Sequence, residues 1–314
     1  MQSRRPRLTA LFPLLLLSQF AAAETPAAHR VPPKQTPQFL RLLRDKNNVP
    51  LALETAIVRF APTAGGRTPT VDLVAAVHIA DAAYYRQLNR EFQAYDAVLY
   101  ELVAPENSNA PKPGDRRGSN SISAMQNGMK DLLALEFQLD GIDYTCKNMV
   151  HADMSPEQLA KSMHKRGESA WTMLGRMLAY AMAKENRSDD VSGGELLAAF
   201  FAKNRALALK RLLAEQFQQS EEALAALEGP TGSSLISGRN KVVTDVLRKE
   251  LAAGKQKIAV FFGAGHMPDL QKRLLHDFTM KPVDTRWLAA WNLKSETKPA
   301  AKAAKPAAGA AKRP

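Results

Sequence analysis

Short apolar runs alternate with amphipathic stretches along most of the chain. Residues 51–60 (LALETAIVRF) and 70–77 (TVDLVAAV) are rich in β-branched residues and predict two strands. Gly65-Gly66 lies between them and marks a hairpin turn. The second run leads straight into His78. Residues 79–81 then open a helix through Tyr95, with Tyr84, Tyr85, Leu88 and Phe92 on one side. Residues 96–100 (DAVLY) predict a third strand and deliver Glu101. Strand, helix, strand is the unit that connects parallel strands. Ahead of it, residues 27–36 are Pro-rich and extended, and residues 37–44 predict a short helix.

The middle of the chain changes character. Residues 105–122 are rich in Pro, Gly, Asn and Ser and predict a loop. Residues 123–140 have helical spacing at Met125, Met129, Leu132, Leu133, Leu135 and Leu139, with Gly141 as the stop. Residues 142–146 read as a short strand, and His151 and Asp153 follow. Ser155-Pro156-Glu157-Gln158 is a helix start: an N-cap serine, a proline at the first position, and a glutamine that completes a capping box. From 155 to 227 strand signal is almost absent. Helices are expected there, with breaks near Gly167, at 189–194 and at Gly229-Pro230. Met163, Met173, Met177 and Met182, with Trp171, Leu174, Leu178 and Tyr180, form apolar stripes. These read as core packing, with a substrate groove or lid as the alternative.

Strand signal returns near the end. Residues 237–251 predict a helix with Val242, Val243, Val246, Leu247 and Leu251 inward. Residues 258–262 (IAVFF) are a continuous apolar run, as in a strand covered on both faces. Gly263-Ala264-Gly265 breaks the run and His266 follows. A helix with spacing at Leu270, Leu274 and Leu275 comes next, and residues 283–293, with Trp287 and Trp291, supply a last strand. The expected fold class is α/β, with a mostly parallel or mixed central sheet flanked by helices. A helical insertion at about 155–236 separates its two halves.

Composition matters chiefly at the two ends. Residues 1–23 have Arg4, Arg5 and Arg7, then an apolar core over 8–20, then Ala21-Ala22-Ala23, the pattern of a secretory signal peptide cut near Ala23. Residues 294–314 form an Ala/Pro/Lys tail expected to be disordered. The formal net charge is +12 over 314 residues. Removing +5 in the tail and +3 in the leader leaves +4 for residues 24–293. No nucleic-acid surface is read from that charge; a weak contact of the tail with an anionic surface is the most it supports. The expected location is periplasmic or secreted. Cys146 is the single cysteine, so neither an internal disulfide nor a cysteine metal cluster can form.

Three polar residues directly follow apolar strands: His78, Glu101 and His266. Parallel strands end on one edge of a sheet, so these side chains can converge there. Two histidines and a carboxylate are a ligand set for zinc and suit other divalent ions such as Mn or Co. Without a metal, a histidine oriented by Glu101 can act as general base toward water. His151 and Asp153 can orient those groups or join them. Arg239 can bind a substrate carboxylate or hold Glu101, and Asn240 stands beside it. His164 and His276 read as surface residues, and Tyr144 and Cys146 as sheet residues.

The order of these motifs resembles the TraB/GumN/TIKI family. A strand ends at a histidine, a strand-end glutamate follows in Tyr100-Glu101-Leu102, an Arg239-Asn240 pair leads a helix, and Gly263 to His266 supplies the G-x-x-H motif. The first such motif departs, with Ala75 where the family usually has glycine. The resemblance implies an α/β fold shared with erythromycin esterases and the haem-binding ChaN proteins. It also implies a divalent-metal-dependent peptidase. In that reading His78, Glu101 and His266 hold the metal, Glu101 and Arg239 serve catalysis, and His151, Asp153, Asn240 and Gly263 support them or touch substrate. The expected substrate is a peptide or small ester. A metal-independent esterase and a haem- or iron-binding protein are the alternatives.

Overall fold

In the computed structural model, the described residues are 39–66, 68–105, 108, 110–112, 133, 135–169, 172, 193–228 and 232–295. The expected leader and nearly all of the tail lie outside them, as do Met173, Met177, Met182, Trp171, Leu174, Leu178, Tyr180 and most of the 105–132 segment. In chain order the elements begin β1 (Leu40–Arg44), β2 (Pro50–Pro62), β3 (Thr70–Ala76), β4 (Ile79–Ala80), α1 (Ala82–Phe92) and β5 (Ala97–Tyr100). Then come β6 (Glu136–Phe137), α2 (Gln138–Gly141), β7 (Met149–His151), α3 (Pro156–Lys165), α4 (Gly193–Phe200) and α5 (Arg205–Glu228). A π-helical turn (Ser234–Gly238) leads into α6 (Arg239–Ala252) and β8 (Lys257–Gly263). A 3-10 turn (Ala264–His266), α7 (Met267–Asp277) and β9 (Met280–Asn292) complete the set.

The central sheet has seven strands and mixed direction. β2 and β3 form the expected antiparallel hairpin, and β9 runs antiparallel along the other side of β2. From β3 onward the order is β3-β8-β5-β7, and every neighbour in that group is parallel. β8 therefore enters between β3 and β5, which are joined by α1. Ile258, Ala259, Val260, Phe261 and Phe262 are all buried, as a strand covered on both faces requires. The expected α/β class with a mixed, largely parallel sheet is thus the observed one. No helix among the described residues is long and apolar enough to cross a membrane.

Four local expectations change. Residues 40–44 are a strand, not a helix: Leu40 and Leu42 are buried at period two, and Arg41 pairs across the strands with Glu54 at 2.7 Å. Ile79-Ala80 is a short strand on Phe137 and Glu136, so the helix starts after Asp81 and the helix expected to run to 140 gives way to β6 at its end. Asp81 does not cap α1 with its side chain. Its carboxylate instead accepts from Lys210 Nζ and the Asn292 N–H, both at 2.6 Å. Residues 142–146 turn rather than extend, because the Asp143 carboxylate accepts the Thr145 N–H at 2.9 Å and its hydroxyl at 2.6 Å. Tyr144 and Cys146 therefore belong to that turn. Finally, Leu275 faces solvent while Leu270 and Leu274 are buried.

Other sequence signals correspond to real devices. Ser155 and Gln158 form the reciprocal capping box at α3. Gly141 is needed for space: a Cβ there would lie 2.5 Å from the Tyr85 ring. α6 begins at Arg239, because residues 237–238 belong to the π-helical turn, whose Gly238 N–H donates to Ser233 O at 2.8 Å. Val243 and Leu247 form its buried side. His164 and His276 are exposed.

Candidate functional site

Each parallel strand delivers a polar side chain to the same sheet edge. Ala76 pairs with Gly263, and Tyr100 pairs with both Phe261 and His151. The strand ends are thereby aligned. β3 continues to His78, β5 to Glu101, β7 to Asp153, and β8 to His266 through its 3-10 turn.

Glu101 is the hub. Its N–H donates to Phe261 O at 3.2 Å, which pins it to β8. Oε2 accepts the Gly263 N–H at 2.7 Å. Oε1 accepts from Arg239 Nη2 at 2.7 Å and lies 3.5 Å from His266 Nε2. Burial pushes the carboxyl up. Hydrogen bonding and charge from His266, with the charges of Arg239 and His78, outweigh burial and hold it well below the usual carboxylate range. Glu101 is therefore ionised at neutral pH.

Arg239 reaches this carboxylate from the first turn of α6 and forks onto a second. Nε donates to Asp153 Oδ1 at 2.8 Å and Nη2 to Asp153 Oδ2 at 2.5 Å. Nη1 donates to Leu235 O at 3.4 Å and stands 3.4 Å from His266 Nε2. Burial lowers the guanidinium pKa, but Asp153 and Glu101 raise it above its ordinary value. Its charge is thus permanent. Of the two roles open to Arg239, holding Glu101 is the one these contacts serve.

Asn240 fixes the state of His266, which is buried. Asn240 Nδ2 donates to His266 O at 3.0 Å and to Asp269 Oδ2 at 2.9 Å, and both atoms can only accept. The amide oxygen must therefore face His266 Nδ1, at 2.7 Å. An amide oxygen accepts, so Nδ1 carries a proton and Nε2 is the lone-pair nitrogen of the neutral ring. Asp269 in turn takes Arg273 Nε at 2.7 Å. Asp269 was not singled out in the sequence; its place in the first turn after Pro268 was the only signal for it.

His78 differs from His266 in being exposed. A Cβ added at Gly263 would lie 3.3 Å from Glu101 Oε2, 3.7 Å from His78 Nε2 and 3.9 Å from His78 Cε1. The His78 ring and the carboxylate thus both lie against the Cβ position that Gly263 leaves empty. His151 is exposed and places its Nε2 2.6 Å from Leu102 O, outside the Glu101–Arg239 network. Of the candidates, His78, Glu101, Asp153, Arg239, Asn240, Gly263 and His266 come together.

These donors do not fit a divalent ion as they are arranged. His266 Nε2 lies 3.5 Å from Oε1 of Glu101, while His78 stands at the Gly263 side of the site. A guanidinium already stands against Oε1 and Nε2. Among the described residues no three His, Cys, Asp or Glu groups could hold a metal ion together. What the arrangement offers is an accessible imidazole beside a fixed anion. No family model matches the chain, and neither a curated protein nor a solved structure matches it.

Proposed function

We propose that the chain is an exported, TraB/TIKI-like hydrolase that cleaves peptides or small esters with water activated at His78. The observation carrying this reading is the pairing at Gly263 of the exposed His78 ring with the ionised Glu101 carboxylate. Neutral His78 takes a proton from water as the water oxygen bonds to the substrate carbonyl carbon. The imidazolium formed is stabilised by Glu101 close by. When the tetrahedral intermediate collapses, the proton passes from His78 to the leaving alkoxide or amine, and the C–O or C–N bond breaks. Arg239, Asp153 and Asn240 touch no reacting atom in this scheme; they hold Glu101 and His266 in place.

The test uses the chain from residue 24 onward, screened against peptide and p-nitrophenyl ester panels in excess chelator. Cleavage that His78→Ala abolishes while leaving the circular dichroism spectrum unchanged supports the reading. Cleavage that survives His78→Ala, or that appears only on adding Zn, Mn or Co, overturns it. A haem-binding protein would instead show a Soret shift on adding haem, lost in His78→Ala.

A further inference from the structure

We infer that Tyr85 and Gln138 are positioning residues for His78, holding the two peptide groups that flank it and so the direction from which its ring meets Gly263. The inference rests on the proposed hydrolase, in which His78 takes the proton from water. His78 lies beyond the last rung of β3 on β8, Ala76 with Gly263, so that ladder does not reach it. Two other donors do. The Tyr85 hydroxyl donates to Val77 O at 3.0 Å, and the Gln138 N–H donates to His78 O at 2.8 Å. Those carbonyls belong to the peptide groups just before and just after the His78 Cα. Each peptide group is planar, so holding both fixes the direction of the Cα–Cβ bond, although the ring itself is exposed.

Both donors are themselves anchored. Tyr85 sits on the buried side of α1, and its ring lies against Gly141, where a Cβ would come within 2.5 Å. Burial raises the phenol pKa above its ordinary value, so the hydroxyl keeps its proton and remains a donor. Gln138 opens α2 directly after β6, which pairs with β4, Phe137 with Ile79 and Glu136 with Ala80. One turn of α1 beyond Tyr85, Asn89 Nδ2 donates to Gly141 O at 2.8 Å, and Asn89 Oδ1 accepts the Asp143 N–H at 3.0 Å. α1 thus holds both the His78 segment and the 136–143 segment behind it. The neighbouring Tyr84 donates to Ala75 O at 3.1 Å, but Ala75 lies inside the β3 ladder, so that bond serves the sheet and not the base. Placement matters because a shift of about 1 Å in a reacting group can cost roughly 100-fold in rate.

Two variants test this. Tyr85→Phe deletes the hydroxyl and keeps the ring on Gly141. Gln138→Pro deletes the N–H at the first position of α2, where proline is tolerated, and Phe137 before it is already extended at φ −83° and ψ 144°. Steady-state kinetics on the best panel substrate should show kcat at least ten-fold lower in each, with KM within about two-fold of wild type. Tyr84→Phe, which loses a buried hydroxyl from the same helix, should keep kcat within about two-fold. Unchanged kcat in folded Tyr85→Phe and Gln138→Pro, or an equal loss in Tyr84→Phe, overturns the inference. If wild type cleaves no panel member, the hydrolase reading fails by itself, and backbone amide relaxation decides the positioning. The His78 order parameter should be about 0.85 in wild type and fall toward about 0.6 in Tyr85→Phe/Gln138→Pro. An unchanged order parameter overturns it.

Discussion

Arg239 and Asp153 meet as a parallel fork, Nε on Oδ1 at 2.8 Å and Nη2 on Oδ2 at 2.5 Å. The pair ties the head of α6 to the segment just beyond β7. Breaking a buried pair leaves an uncompensated charge, which typically costs about 3–5 kcal/mol. Asp153→Ala leaves Arg239 with Glu101 as its remaining carboxylate, so it should lower stability in urea unfolding by no more than that amount. The double variant Asp153→Ala/Arg239→Met should lose less than the sum of the two single variants, since the fork is then removed once and not twice. Additive losses would show that the two residues do not act as a pair.

Acid should expose the anchored state of Glu101. Its folded pKa is depressed, so the stability it contributes is fully present above the ordinary glutamate value of about 4.3 and is lost as pH falls toward the folded one. Wild type should lose more stability between pH 5 and pH 3 than Glu101→Gln, whose side chain does not titrate. Parallel urea midpoints for the two proteins across that range would contradict the assignment.

The Asn240 amide dictates where His266 carries its proton. Long-range proton–nitrogen correlation spectra at neutral pH should show a proton on Nδ1 of His266 in wild type. Asn240→Leu removes the acceptor, and exchange between the two neutral tautomers should appear. A wild-type ring protonated on Nε2 alone would contradict the hydrogen-bond network. A purely packing role for Asn240 would leave the ring nitrogen shifts unmoved.

Gly263 serves by lacking a side chain rather than by an unusual backbone angle, since its φ is −52°. A methyl group there would lie 3.3 Å from Glu101 Oε2 and 3.7 Å from His78 Nε2. Gly263→Ala should therefore reduce kcat/KM at least ten-fold while moving the thermal midpoint by only a few degrees. A large loss of stability with unchanged activity in the folded fraction would place the glycine in packing instead.

Much of the sheet was legible in the sequence. The run at 258–262 reads as a fully covered strand because both faces of β8 are covered, and three chemistry-bearing residues follow parallel strands in plain view. The capping box at Ser155 was equally plain, because its signal is local. β1 reads as a helix because two leucines two apart and two adjacent satisfy either period over so short a run, and pairing with β2 makes it a strand. Residues 142–146 look apolar enough for a strand, but the Asp143 side chain competes for the backbone donors. The site was legible as a set and not as a geometry. Nothing in the spacing says that Arg239 stands between Glu101 and Asp153, since strand insertion and the π-helical turn before α6 decide it.

His78, as the accessible base beside Glu101, is the residue on which the proposed hydrolysis turns. The most direct measurement is the hydrolysis rate of the best panel substrate, in chelator, by folded wild type and folded His78→Gln. The account predicts a loss of at least 100-fold in kcat for the variant, within the range a general base contributes. A rate within two-fold of wild type would contradict it.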